Sequence, residues 1–242
     1  RFIDDEAAAL RAFARSLPHA LPRRRARRMT RGKGRTVDPR RTFRHMMRRD
    51  GEVARLMRRT RQQRQRRVLL LIDISGSMKS GTAGALRLAH ALVHAGEEVE
   101  VFTIGTRLTR VTRALARRNR EQALELASGL VADWDGGTRL GDALQVFLSV
   151  PRFAGFARGA FAIILSDGRE RGVPEALTQA MTRLDGLAWS VLWLTPLAAD
   201  AQFLPRTEAL RAIAPMIDRL GNGSSPQAVA REILHFTKGG RR

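Results

Sequence analysis

Val68-Leu69-Leu70-Leu71-Ile72-Asp73-Ile74-Ser75-Gly76-Ser77 is the stretch that decides the fold. Its first five residues are an unbroken apolar run, short enough to be a strand, with Arg66-Arg67 before it and Asp73 after it. A run of this kind suits a parallel strand buried on both faces. The polar residues directly after it then fall at the carboxyl end of a strand, where open α/β sheets hold their ligands.

Downstream, strand and helix patterns alternate. Ala83–Ala95 has helical periodicity, Val99–Ile104 reads as a strand, Gly105 as a turn, and Leu108–Val111 as a hairpin partner. Asn119–Leu130 and Leu140–Leu148 read as helices, Phe161–Leu165 as a second buried strand, and Pro174–Leu184 as a helix. Trp189–Leu194 is a further strand; Glu208–Ala214 and Pro226–Phe236 are closing helices. The alternation predicts an α/β fold with a Rossmann-like, doubly wound, mainly parallel sheet flanked by helices. Trp189 and Trp193, four apart on a strand pattern, are expected to share a face and to serve packing.

The front of the chain differs. Residues 1–67 hold 23 Lys+Arg against 6 Asp+Glu, so most of the net charge of +21 lies there. Phe2, Ala9, Leu10, Phe13 and Leu17 recur at helical spacing, whereas 18–42 is rich in Pro, Gly and Arg and reads as a linker or arm. Asp38-Pro39 opens an expected helix over Arg40–Asp50, and Glu52–Arg66 reads as another. The expected organisation is a helical, Arg-rich extension over 1–67 and an α/β domain over 68–242.

A basic arm can bind nucleic acid, anionic lipid or an acidic protein surface. Arg outnumbers Lys by 41 to 3, which fits the codon habit of a GC-rich genome. The front third has only Phe2, Phe13 and Phe43 as aromatics, few for a base-stacking platform. The chain has no cysteine, which excludes disulfides and thiolate metal sites. No apolar run approaches the roughly 18 to 20 residues of a membrane helix, and cytoplasm is the expected location.

Candidate chemistry gathers at the strand ends. Asp73, Ser75 and Ser77 are spaced by two, which in an extended turn presents three oxygens in one direction. Gly76 is expected to let that loop bend where a side chain would clash. A carboxylate and two hydroxyls are hard ligands suited to Mg2+ or Mn2+. Asp135-Gly136-Gly137-Thr138 adds a hydroxyl before a helix, and Ser166-Asp167-Gly168 adds a carboxylate after the Phe161–Leu165 strand.

Asp-x-Ser-x-Ser, Thr after Gly-Gly, and Ser-Asp-Gly in this order resemble the metal-ion-dependent adhesion site of von Willebrand factor A (VWA) domains, over roughly residues 68–195. The resemblance implies a VWA fold with Mg2+ or Mn2+ at Asp73, Ser75, Ser77, Thr138 and Asp167, and an acidic side chain of a partner completing the metal shell. Thr36–Arg44, Gly137–Leu144, Leu165–Gly168 and Trp193–Leu197 further resemble the CoxE-like branch. That branch implies an intracellular, chaperone-like adaptor that works with a MoxR-type AAA+ ATPase. The task implied is maturation or metal-centre assembly of a metalloenzyme client such as carbon monoxide dehydrogenase. The tail over Leu210–Leu220 matches that branch only loosely.

Other readings are weaker. Ser75 and Ser77 lack the Gly-x-Ser-x-Gly of a nucleophile elbow and a placed His, so neither catalytic residues nor an enzyme are expected. Gly76–Thr82 lacks the lysine of a P-loop. His90 and His94 lie four apart, but Ala91 stands where a zincin has Glu, so a helix-face role is expected. Asp133, Asp135 and Asp142 read as loop and helix-start acids in preference to acceptors for the ligand hydroxyls, and Trp134 is placed to line the metal face. The competing function is a nucleic-acid-associated module binding through the Arg-rich arm.

Overall fold

The computed structural model describes residues 2–49, 55–131, 139–170, 172, 174–200, 202–203 and 207–239. The chain forms two compact units, Arg1–Pro22 with Arg66–Arg242, and Arg23–Gln65. Pro22 and Arg66 are joined by a hydrogen bond from the Arg66 amide to the Pro22 carbonyl at 2.7 Å.

The larger unit holds a six-stranded sheet. Its strands are β3 (Val68–Asp73), β4 (Val99–Ile104), β5 (Leu108–Arg110), β6 (Phe161–Leu165), β7 (Ser190–Thr195) and β8 (Arg219–Asn222). Their order is β5-β4-β3-β6-β7-β8, with only β5 antiparallel. The chain leaves β3 toward β4 and returns on the other side as β6. The switch point of the sheet therefore lies between β3 and β6, the place where this topology opens a crevice.

Alternation along β3 sorts its side chains into two layers. Val68, Leu70 and Ile72 join one core with α3 (Lys79–Ala95), α5 (Arg120–Leu130) and α10 (Pro226–Gly239). Leu69 and Leu71 join the other with α6 (Leu140–Ser149), α8 (Pro174–Leu187) and α9 (Glu208–Ile213). All six residues of β3 are buried, as a strand covered on both faces requires. The mixed α/β fold with a helix-flanked sheet is thus the one expected. Among the described residues, no helix is long and apolar enough to cross a membrane.

Helix α1 (Phe2–Ala20) goes with the sheet rather than with the basic extension. Leu10, Phe13, Leu17 and Leu21, at helical spacing, are at most 5% exposed within the first core. Burying each contributes about 1.5–3 kcal/mol, enough to fix the helix on the domain.

The expected linker over 18–42 and helix over Glu52–Arg66 are corrected. The smaller unit is an antiparallel ribbon of β1 (Arg23–Val37) and β2 (Arg58–Gln65), enclosing α2 (Pro39–Met47). The helix near Asp38 is present: Asp38 caps it through the Arg41 amide at 3.2 Å, and Pro39 occupies its first turn. The ribbon was illegible because nearly every position is polar, so no apolar period marks strand or helix. Short α4 (Thr112–Leu115), α7 (Pro151–Ala157) and β8 were also unanticipated.

The two tryptophans do not share a face. Trp193 is fully buried in the second core. Trp189 precedes β7, packs partly buried against the first core, lies edge-on to Phe161 at 6.2 Å and carries the Arg66 guanidinium at 4.8 Å.

Candidate functional site

Strands β3 and β6 run parallel in register, with Ile72 opposite Leu165. The next residue on each strand, Asp73 and Ser166, therefore meet above the switch point. Ser166 Oγ donates to Asp73 Oδ2 at 2.6 Å, and the Ser75 amide donates to Asp73 Oδ1 at 2.9 Å. Asp73 is 2% exposed, so its carboxylate is held by these donors in a place water barely reaches. Ser166 is fixed in turn: its Oγ accepts from the Gly168 amide at 3.0 Å, and its carbonyl accepts from Trp193 Nε1 at 3.1 Å.

After Asp73 the chain turns into a single 3-10 turn over Gly76–Met78 that leads into α3. This brings Ser75 Oγ and Ser77 Oγ to 3.1 Å from each other on the outer side. The loop is not the extended turn expected, but the hydroxyls still converge. Gly76 has no steric role: a Cβ there would meet nothing within 4 Å among the described residues. The glycine that matters is Gly168, at φ +71°, whose Cβ would press on Leu210 at 2.5 Å. Its left-handed backbone turns the chain directly after Asp167.

Asp167 is 4% exposed at the end of β6. Its Oδ1 accepts from the Arg169 amide at 3.1 Å, and Oδ2 lies 3.6 Å from Arg169 Nε, whose side chain is largely exposed. Thr138 and its neighbours Asp133, Trp134 and Asp135 lie outside the described residues. The helix start that follows them is tied to the β6 loop, because Glu170 accepts from the Gly141 amide at 2.9 Å and the Gly172 amide at 2.6 Å. Asp142 sits half-exposed in the first turn of α6, 3.7 Å from Arg139, as a helix-start acid does.

A cleft of about 90 Å³ opens beside Asp73 and Ser77, walled by Ser80, Pro196, Gly223 and Ser224. Among the described residues no three His, Asp or Glu side chains stand together as a metal set. The donors here are of another kind, buried carboxylates next to hydroxyls. Neighbouring oxygens of an octahedral shell with bonds of about 2.1 Å lie about 3 Å apart. The Ser75 and Ser77 hydroxyls, which share a hydrogen bond, have that spacing.

Ser166 and Glu170 were not singled out from sequence. Ser166 lay inside the Ser-Asp-Gly motif, but its bond to Asp73 depends on which strands are neighbours. The rejected motifs have structural explanations. Thr82 is buried in α3 and donates to the Met78 carbonyl at 3.0 Å. The His90 and His94 rings touch at 4.4 Å between centroids, tilted by 43°. Their Nε2 atoms donate to the carbonyls of Arg117, at 3.0 Å, and Leu115, at 3.1 Å, closing the end of α4. Burial holds the His90 pKa below the usual histidine value despite its bond to Arg117, with the charges of His94 and Arg120 adding to the depression.

No curated protein matches the sequence. Among solved structures, a von Willebrand factor type A protein from Catenulispora acidiphila aligns at 22% identity and TM-score 0.53, over 74% of this chain and 43% of that one. Proximal thread matrix protein 1 of the mussel byssus aligns at 14% identity and TM-score 0.44, over 72% and 46%. The pilus adhesin SpaC of Lactobacillus rhamnosus GG aligns at 16% and 0.46, over 72% and 29%. The chain thus spans less than half of each of these proteins. The first likeness supports the fold; the other two are too loose to carry argument. The model of VWA domain-containing CoxE-like proteins matches residues 8–229, which takes in both units and nearly the whole sequence, and the chain belongs to that family.

Proposed function

We propose that the chain is a metal-dependent protein-binding adaptor, without catalysis of its own. Asp73, Ser75, Ser77, Thr138 and Asp167 would hold Mg2+ or Mn2+. The bound ion would supply an electrophilic open position that a partner's Asp or Glu fills. The protein's own part would be to keep the Asp73 and Asp167 carboxylates buried, through Ser166 and the Ser75 and Arg169 amides, and to present the two serine hydroxyls outward. The observation that carries this reading is the cluster of Ser166, Asp73, Ser75 and Ser77 at the sheet's switch point.

The partner we propose is a MoxR-type AAA+ ATPase, and the task is maturation of a metalloenzyme client such as carbon monoxide dehydrogenase, in the cytoplasm. Membership of the CoxE-like family supports this, and the ATPase would supply the energy of the step. The test is a pull-down from the native host in Mg2+ and in EDTA, alongside Asp73→Ala. Recovery of an AAA+ ATPase or metalloenzyme only with Mg2+ and intact Asp73 supports the adaptor. The same proteins recovered regardless of EDTA and of Asp73 would overturn the metal-bridged reading.

A further inference from the structure

The smaller unit concentrates charge beyond what a solvated surface needs. Residues 23–65 hold 18 Lys+Arg against 3 Asp+Glu, and neither strand of the ribbon contains an acid. Cross-strand neighbours in an exposed sheet usually pair opposite charges, and like charges directly opposite are destabilising. Here Arg24 faces Arg64 and Arg31 faces Arg59. The ribbon retains this repulsion, which an anionic partner would relieve.

The backbone is also shaped. Two register shifts lie on β1, between Arg25 and Met29 and between Arg31 and Thr36. Arg27 and Arg28, and Lys33 and Arg35, fall in these unpaired stretches and are exposed. Such bulges bend a strand and redirect its side chains. At the second, Gly34 lies so close to β2 that a Cβ would run into the Arg59 carbonyl. The bend leaves a cleft of about 460 Å³. Arg25, Arg35, Arg59 and Arg61 line it with Thr36 and Thr60, and no carboxylate lines it among the described residues. Arg59 Nε is buried and makes no hydrogen bond among the described residues.

We infer that this ribbon is a docking surface for double-stranded DNA, with the four-arginine cleft seating backbone phosphates. A two-stranded ribbon is of a size to enter the major groove. The eight residues of β2 span about 26 Å, on the order of eight base pairs. The scarcity of aromatics, with Phe43 alone between residues 23 and 65, argues against single strands, which need stacking platforms. Guanidinium forks suit phosphate geometry, and the contacts would be sequence-independent.

The experiment measures binding of the full chain to a fluorescent 20-base-pair DNA duplex against salt concentration. One variant replaces Arg25, Arg35, Arg59 and Arg61 by Gln; a charge-matched control replaces the exposed Arg40, Arg44, Arg48 and Arg49 by Gln. The cleft variant should bind at least tenfold more weakly, and its slope of log K against log salt should fall by about 3 to 4. The control should lose less than half that slope. Equal losses in both would mean diffuse charge and overturn the cleft. Duplex RNA or polyglutamate binding more tightly than the DNA would overturn the choice of partner. Removing like charges should not unfold the ribbon, and a hydrogen-exchange comparison of β1 and β2 amides checks this. Asp73→Ala should leave DNA binding unchanged, so this inference and the metal-bridged adaptor stand or fall separately.

Discussion

Ser166 Oγ donates to Asp73 Oδ2 across the boundary between β3 and β6, at 2.6 Å, and so fixes one carboxylate at the point where the sheet reverses direction. The bond orients Asp73 without consuming the serine hydroxyls outside it. Ser166→Ala should therefore weaken Mg2+ or Mn2+ binding by about tenfold or more, as loss of a group orienting a metal ligand commonly does. Calorimetric titration measures it; wild-type affinity in the variant would remove Ser166 from the site.

Gly168→Ala forces a side chain onto φ +71° and against Leu210. The expected cost is about 1–3 kcal/mol, read from the urea midpoint. Gly76→Ala, after β3 and with nothing within 4 Å of its Cβ among the described residues, should stay within about 0.5 kcal/mol. Equal effects would contradict the placement of these two loops.

Glu100 is gripped by Arg110 through two 2.6 Å bonds and by the Thr112 hydroxyl at 2.7 Å. Burial pushes its pKa up, but the bonds from Arg110 and Thr112 and the charges of Arg110 and Arg152 outweigh burial, so the carboxyl stays below the usual value of 4.5. The stabilisation it gives is complete above that value and lost as pH falls through the lower folded one. Glu100→Gln should lower stability at pH 7 and flatten the acid limb of the stability profile; an unchanged limb would count against the pair.

His90 has the same sign by a different route. Its folded pKa lies below 6.5, so the unfolded chain takes up the proton first. Stability should be full above that pH and should decline as pH drops through the folded value. Thermal melts at successive pH values check this, with His90→Gln losing that part of the decline.

Phe13 is 1% exposed, deep in the first core. Phe13→Ala should destabilise the domain by about 3–5 kcal/mol. A negligible loss would return α1 to the extension.

Sequence made the sheet legible because its strands are short, apolar and separated by well-marked helices. Asn119 begins the expected helix and caps α5, its side chain accepting from the Gln122 amide. Asp73 and Asp167 stood out as candidates because each comes at the end of an apolar run, with Ser75 and Ser77 in the turn after the first. Ser166 as a partner of Asp73 did not, since strand order is a property of the whole fold. The ribbon escaped because polarity on both faces erases the period that betrays a strand, and pairing between distant arginine-rich segments leaves no local trace. The short β8 escaped because Arg219–Asn222 contains a single large apolar residue, Leu220.

The chain leaves the large unit at Pro22 and re-enters it at Arg66, two residues bonded to each other. An element whose two ends meet at one spot can be excised or exchanged like a cassette, with a tight turn spliced in its place. The arginine-rich ribbon and the metal-type loops would then be free to diverge at different rates within one gene, each answering to its own partner.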